Sequence, residues 1–125
     1  RVLVAEDDPV NALIARKTLQ RFGIDVVPAG SGPAALQALE STDLDAALLD
    51  QRMPGMDGPS VAEYARAAGV EIPLIALTAN ASEADRTRCL GAGMDKFLTK
   101  PLDPEVLRDT LVRLCADQKQ ASMRA

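Results

Sequence analysis

A doubly wound α/β domain with a five-stranded parallel sheet is the fold this sequence predicts, on three observations. Short apolar, β-rich runs alternate along the chain with segments that carry helix start signals. Strands separated by helices favour a parallel sheet covered on both faces. At 125 residues and 47% hydrophobic, the chain has the size of one ordinary domain around a single core.

The elements follow in order. The first strand is Val2-Leu3-Val4-Ala5, which ends in the acidic run Glu6-Asp7-Asp8, and the first helix has Val10, Leu13 and Ile14 near its start. A second strand is expected over 25–29, and Pro33 after Gly32 opens the second helix. The third strand runs over 46–49 into Asp50, with Pro59 after Gly58 starting the third helix. The fourth strand is expected over 72–77, ending in Thr78, and Ser82 stands ahead of Glu83 and Asp85 where a helix should start. The fifth strand, 96–99, stops just before Lys100. Asp103 then caps a last helix that begins at Pro104 and carries Val106, Leu107, Leu111, Leu114 and Cys115 at helical spacing. Residues 117–125 are polar and small apart from Met123, so the domain is read as 1–116, with 117–125 the fraying end of the last helix and a polar tail. Five βα units in this length fit the flavodoxin-like (βα)5 arrangement with strand order 2-1-3-4-5.

Composition narrows the chemistry. The net charge of −4 comes without Lys or Arg runs, so the footprint of a nucleic-acid or anionic-membrane binder is missing. No apolar stretch approaches the ~20 residues that span a bilayer, and the first residues do not resemble a signal peptide. Cys89 and Cys115 lack metal-ligand spacing and are read as reduced thiols acting as small helix hydrophobes. With no histidine at all, Ser-His-Asp and Cys-His pairs are excluded, and chemistry must rest on carboxylates, hydroxyls and amines.

Ligands of open α/β sheets bind beyond the carboxyl ends of the strands, above all where strand order reverses. Glu6 and Asp7, Asp50, Thr78 and Lys100 all fall at such ends. Clustered carboxylates disfavour one another's ionisation and call for a cation or a nearby ammonium. Mg²⁺ together with Lys100 meets that need, and Mg²⁺ favours few carboxylates, several waters and a phosphate oxygen. Phosphoryl transfer depends mostly on positioning and on neutralising charge on phosphoryl oxygens, for which Lys100 and Thr78 are suited. Singly, each residue reads as an ordinary turn or strand-end residue; only the set is specific.

The segments Val-Leu-Val-Ala-Glu-Asp-Asp-Pro-Val-Asn, Leu-Leu-Asp-Gln-Arg-Met-Pro-Gly-Met-Asp-Gly, Leu-Ile-Ala-Leu-Thr-Ala-Asn and Phe-Leu-Thr-Lys-Pro closely resemble the receiver domain of two-component response regulators, over nearly the whole chain. The resemblance implies a phosphorelay domain that takes a phosphoryl group from a phosphohistidine donor onto Asp50 and catalyses only its own phosphorylation and dephosphorylation. It implies Mg²⁺, with Mn²⁺ as the alternative ion, on Glu6, Asp7, Asp50 and the backbone carbonyl of Arg52. Thr78 and Phe97 would be the switch, Lys100 would pair with the phosphoryl group, and the Lys100-Pro101 peptide would be cis. A phosphoryl group adds about −1.5 to −2 charge, drawing the Thr78 hydroxyl inward and changing the surface of helix 4, strand 5 and helix 5. Arg52 and Asn80 are candidates for tuning phosphoryl lifetime. Arg52 departs from the smaller polar residues usual at its position. The Pro-Val-Asn and Ala-Leu-Thr-Ala-Asn-Ala segments look most like receivers of hybrid sensor histidine kinases. The expectation is therefore a cytoplasmic piece of a larger kinase, partnered by a histidine kinase or histidine phosphotransfer domain. Self-association through helix 4, strand 5 and helix 5 is a further expectation, without nucleic acid or direct membrane contact.

Three rival readings fit the sequence less well. Gly30-Ser31-Gly32-Pro33-Ala34-Ala35 fits the dinucleotide pattern G-x-G-x-x-A, with Asp50 about 20 residues on, but follows the second strand and reads as a turn into a helix. An aspartyl-nucleophile phosphatase needs a second Asp at position 52 as general acid and base, where this chain has an always-protonated Arg. A phosphorylation-independent interaction module would not need the acidic pair, acceptor, hydroxyl and Lys all intact.

Overall fold

The computed structural model describes residues 1–79, 82–100 and 102–124, with side chains as far as residue 116. Its elements alternate strictly: β1 (Val2–Ala5), α1 (Pro9–Arg21), β2 (Val26–Ala29), α2 (Gly32–Ser41), β3 (Ala46–Asp50), α3 (Gly58–Ala67), β4 (Leu74–Thr78), α4 (Glu83–Gly91), β5 (Lys96–Thr99) and α5 (Pro104–Arg124). The five strands form one parallel sheet in the order β2-β1-β3-β4-β5, as the alternation predicts.

Continuous apolar sequence makes the middle of this sheet. Every residue of β1, β3 and β4 is buried, since helices cover both faces. Alternate side chains feed two cores. Leu3, Ala47, Leu49, Leu74 and Ala76 face Ala35, Leu39, Val61, Ala65 and Cys89 of α2, α3 and α4. Val2, Val4, Leu48, Ile75 and Leu77 face Ala15 and Leu19 of α1 and Leu107 and Leu111 of α5. Pro28 is tolerated because β2 lies at an edge, where a strand can dispense with one N–H donor. Cys89 is buried, Cys115 is half-buried, and neither forms a disulfide among the described residues.

Two strands start later than the sequence suggested. β2 begins at Val26 rather than residue 25, and β4 begins at Leu74 rather than residue 72. In β4 the carbonyl of Ile72 is taken by the Arg66 guanidinium of the preceding helix, and Pro73 has no N–H to give a ladder. Helix starts follow side-chain chemistry, with Asp8, Ser31, Asp57 and Ser82 each accepting from backbone N–H groups of the first turn. In the last helix Asp103 Oδ1 accepts from Glu105 N at 2.9 Å.

Gly32 accounts for the dinucleotide-like motif in packing terms. A Cβ there would run into the backbone carbonyl and side chain of Met56, so the start of α2 can lie against the β3–α3 loop only as glycine.

Candidate functional site

Parallel register decides what meets at the carboxyl edge. Ala5 pairs with Leu49, so the next residues, Glu6 and Asp50, emerge side by side. Asp50 pairs with Leu77 and Thr78 with Thr99, which brings Thr78 and Lys100 to the same edge. Lys100 N donates to the Thr78 carbonyl at 2.8 Å, fixing where the Lys100 side chain departs. Behind Asp50, Gly58 packs so closely that a Cβ would strike the Asp50 carbonyl, closing the 51–57 loop against the acid.

The result is a polar cleft of about 420 Å³ whose lining includes Glu6, Asp7, Asp50, Arg52, Thr78 and Lys100. The Lys100 ammonium donates to Glu6 Oε1 at 2.9 Å and to Asp50 Oδ2 at 3.1 Å. The other oxygen of Asp50 accepts from Arg52 N at 3.3 Å. Glu6, Asp50 and Thr78 are buried, while Asp7 and the Arg52 side chain are exposed at the mouth.

One ammonium does not balance these acids. Burial, and then the neighbouring Asp50 carboxylate, push the Glu6 carboxyl up to about 7 despite the opposing Lys100. Lys100 pays a desolvation penalty that would lower it, yet its hydrogen bonds to Glu6 and Asp50 outweigh this and raise it. Glu6 Oε2 is buried with no hydrogen-bond partner among the described residues. Glu6, Asp7 and Asp50 also offer one oxygen each within 4.8 Å of one another. An orphaned buried oxygen within such a group fits a hard divalent cation with oxygen ligands.

The structure thus brings together Glu6, Asp7, Asp50, Thr78 and Lys100, with Arg52 at the rim. Phe97 is half-buried on β5, away from the cleft, and its ring lies 5.3 Å from the Arg86 guanidinium carbon. Asn80 and the Lys100-Pro101 peptide fall outside the described residues. Two participants escaped sequence reasoning. Asp8, the last member of the acidic run, is the N-cap of α1, which the Asp-Pro pair at a helix start signals. Gln51 is buried beside Asp50, and its Oε1 accepts from the Thr78 hydroxyl at 2.6 Å. The available signal was a polar residue directly continuing a buried apolar strand.

Comparison with known proteins matches this geometry. A family model described as the response regulator receiver domain matches residues 2–112. The chain is 36% identical over 118 residues to the sensor protein GacS of Pseudomonas syringae pv. syringae, covering 90% of this chain and 13% of that protein. It is 36% identical over 110 residues to the sensor histidine kinase RcsC of Escherichia coli, covering 88% and 12%. The chain therefore spans about an eighth of the length of these curated relatives. Among solved structures, it resembles the receiver domain of a Pseudomonas aeruginosa sensor histidine kinase with a magnesium ion coordinated in the active site cleft. That match has a TM-score of 0.87 and 38% identity, covering 92% of this chain and 96% of the other. A CheY-like receiver domain protein from Methanospirillum hungatei matches with a TM-score of 0.90 and 26% identity, over 97% of both chains. No described helix is long and apolar enough to cross a membrane.

Proposed function

This chain belongs to the response regulator receiver domain family, and from that premise we propose that Asp50 is its phosphoacceptor in a two-component phosphorelay. The observation that carries this reading is the Lys100 ammonium held at once by Glu6 and Asp50, beside an unpartnered Glu6 oxygen. A carboxylate oxygen of Asp50 attacks the phosphorus of a phosphohistidine. The P–N bond breaks, and its electron pair stays with the imidazole nitrogen of the donor. Lys100 and the Thr78 hydroxyl then hold the phosphoryl oxygens, the positioning and neutralisation on which such transfer depends. Glu6, Asp7, Asp50 and the Arg52 backbone carbonyl would hold Mg²⁺, or Mn²⁺ in its place, which supplies positive charge to the phosphoryl oxygens. The domain catalyses its own phosphorylation and dephosphorylation only. Arg52, whose fixed charge cannot act as acid or base, tunes acyl-phosphate lifetime instead of supporting turnover on other esters. Asn80 is the second residue in that role.

The donor is a histidine kinase or histidine phosphotransfer domain, and the receiver unit comprises 1–116, with 117–125 a C-terminal extension. Similarity to sensor kinases supports a cytoplasmic unit of a larger kinase. Output passes through Thr78 and Phe97 to the α4–β5–α5 face, self-association included, with neither nucleic acid nor membrane as a direct partner. The test is addition of beryllofluoride, or of acetyl phosphate, with Mg²⁺, followed by NMR. Wild type is expected to shift around residues 50, 78 and 100, and Asp50→Asn is expected not to respond. A silent wild type would sink the proposal. Dephosphorylation time courses on Arg52→Ala, in the same series, reject the lifetime role if they match wild type.

A further inference from the structure

Threonine has one hydroxyl proton to donate. In this structure the Thr78 proton is given to Gln51 Oε1 at 2.6 Å, in a buried setting where Thr78 is 1% and Gln51 8% exposed. Gln51 is itself fixed from both sides along the backbone. Its N–H donates to the Leu77 carbonyl at 2.8 Å, and its carbonyl accepts from Gly58 N at 3.2 Å. Its side-chain oxygen therefore has a defined place between the acceptor strand and the switch strand.

The same loop reaches α4 at two points. Asp85, in the first turn of α4, lines the same cleft as Gln51 and Arg52. At the other end of the helix, Arg88 forms an ion pair of 2.8 Å with Asp57, the N-cap of α3. The segment from Gln51 to Asp57 thus ties the acceptor, Thr78 and α4 together.

We propose that Gln51 is a positioning residue of the phosphoryl switch: it holds the Thr78 hydroxyl in the unphosphorylated state. A phosphoryl group on Asp50 must take that hydroxyl proton from Gln51, because Thr78 cannot donate to both. Releasing the bond frees the Gln51 side chain in the cleft that Asp85 also lines, so the first turn of α4 receives the signal through Gln51 as well as through Thr78. Gln51 makes the switch less sensitive, since each phosphoryl oxygen competes with an acceptor already in place. The inference rests on Asp50 being the phosphoacceptor.

The test is a double-mutant cycle read by beryllofluoride affinity in Mg²⁺. Gln51→Met keeps the volume and removes the acceptor oxygen. It is expected to bind beryllofluoride about three- to tenfold tighter than wild type, the range of one net hydrogen bond. In a Thr78→Val background the same substitution is expected to change affinity by less than about twofold, because the competing bond is already absent. The free Gln51→Met protein should also show the Asp85 amide displaced toward its position in beryllofluoride-bound wild type. Should Gln51→Met not fold, Gln51→Asn, one methylene too short to reach the hydroxyl, carries the same expectations. Unchanged affinity, or equal effects in both backgrounds, overturns the latch while leaving the receiver reading intact. A wild type that shows no Asp50-dependent response overturns both.

Discussion

At the amino end of the sheet, Arg66 donates from Nε to the Gly93 carbonyl at 2.9 Å and from Nη1 to the carbonyls of Val70 and Ile72 at 2.9 and 2.8 Å. Its Nη2 meets Asp95 Oδ2 at 2.9 Å, and that oxygen also accepts from Leu74 N. Here one cation serves three carbonyls and one carboxylate, pinning the turns that precede β4 and β5. At the carboxyl end Lys100 faces two buried acids, and one Glu6 oxygen has no hydrogen-bond partner among the described residues. Both ends contain ion pairs of similar length, so distance alone does not separate them. Satisfaction does: a network with its partners supplied fixes a fold, whereas one short of positive charge is prepared for a ligand.

The sharpest break of this contrast comes from Lys100→Ala. Phosphorylation of Asp50 by acetyl phosphate is expected to slow on the order of 10²-fold, the usual cost of one preorganised electrostatic donor. A slowing of less than threefold would remove Lys100 from the chemistry. Arg66→Ala should do the reverse. Urea unfolding is expected to show about 3 kcal/mol of lost stability, because several carbonyls and Asp95 lose charged hydrogen bonds. Its phosphorylation rate should stay within about twofold of wild type; a large rate loss with little destabilisation would merge the two ends into one functional network.

The smallest effect concerns pH. Glu6 is raised from 4.5 to about 7, so the native state keeps a proton that the unfolded chain has lost between those values. Stability from this group is therefore complete below pH 4.5 and falls as pH climbs to about 7. Asp57 runs oppositely: burial raises it, but hydrogen bonds from Ser60 and the Arg88 ion pair outweigh this and lower it. Its contribution is lost only in more acidic solution. Unfolding midpoints measured across pH 4.5–7 in EDTA should show the decline, and Mg²⁺ or Glu6→Gln should flatten it. A flat profile in EDTA would mean that the carboxyl end is already balanced.

Legibility in the sequence followed how local each cause was. The bounds of β1 and β5 were readable, as were the capping roles of Ser82 and Asp103, because apolar runs and caps act through neighbours in the chain. The late start of β4 was not, since Arg66 takes the Ile72 carbonyl from the preceding helix and only the folded turn displays it. Among the site residues, Asp50 and Lys100 were found through their positions at strand ends. Gln51 was passed over because the partner that gives it meaning, Thr78, lies 27 residues away.

By itself, the sequence determined the alternation of strands and helices, the burial of the central strands and the gathering of acids, hydroxyl and ammonium at one edge. Hydrophobic periodicity and chain direction in a parallel sheet suffice for these. Tertiary structure decided how charge and protons are shared there: which acid Lys100 contacts, which oxygen of Glu6 is left over, and which acceptor holds the Thr78 hydroxyl. Those depend on separations of a few tenths of an ångström between residues far apart in the chain, and hydrogen bonds and buried charges are sensitive at that scale.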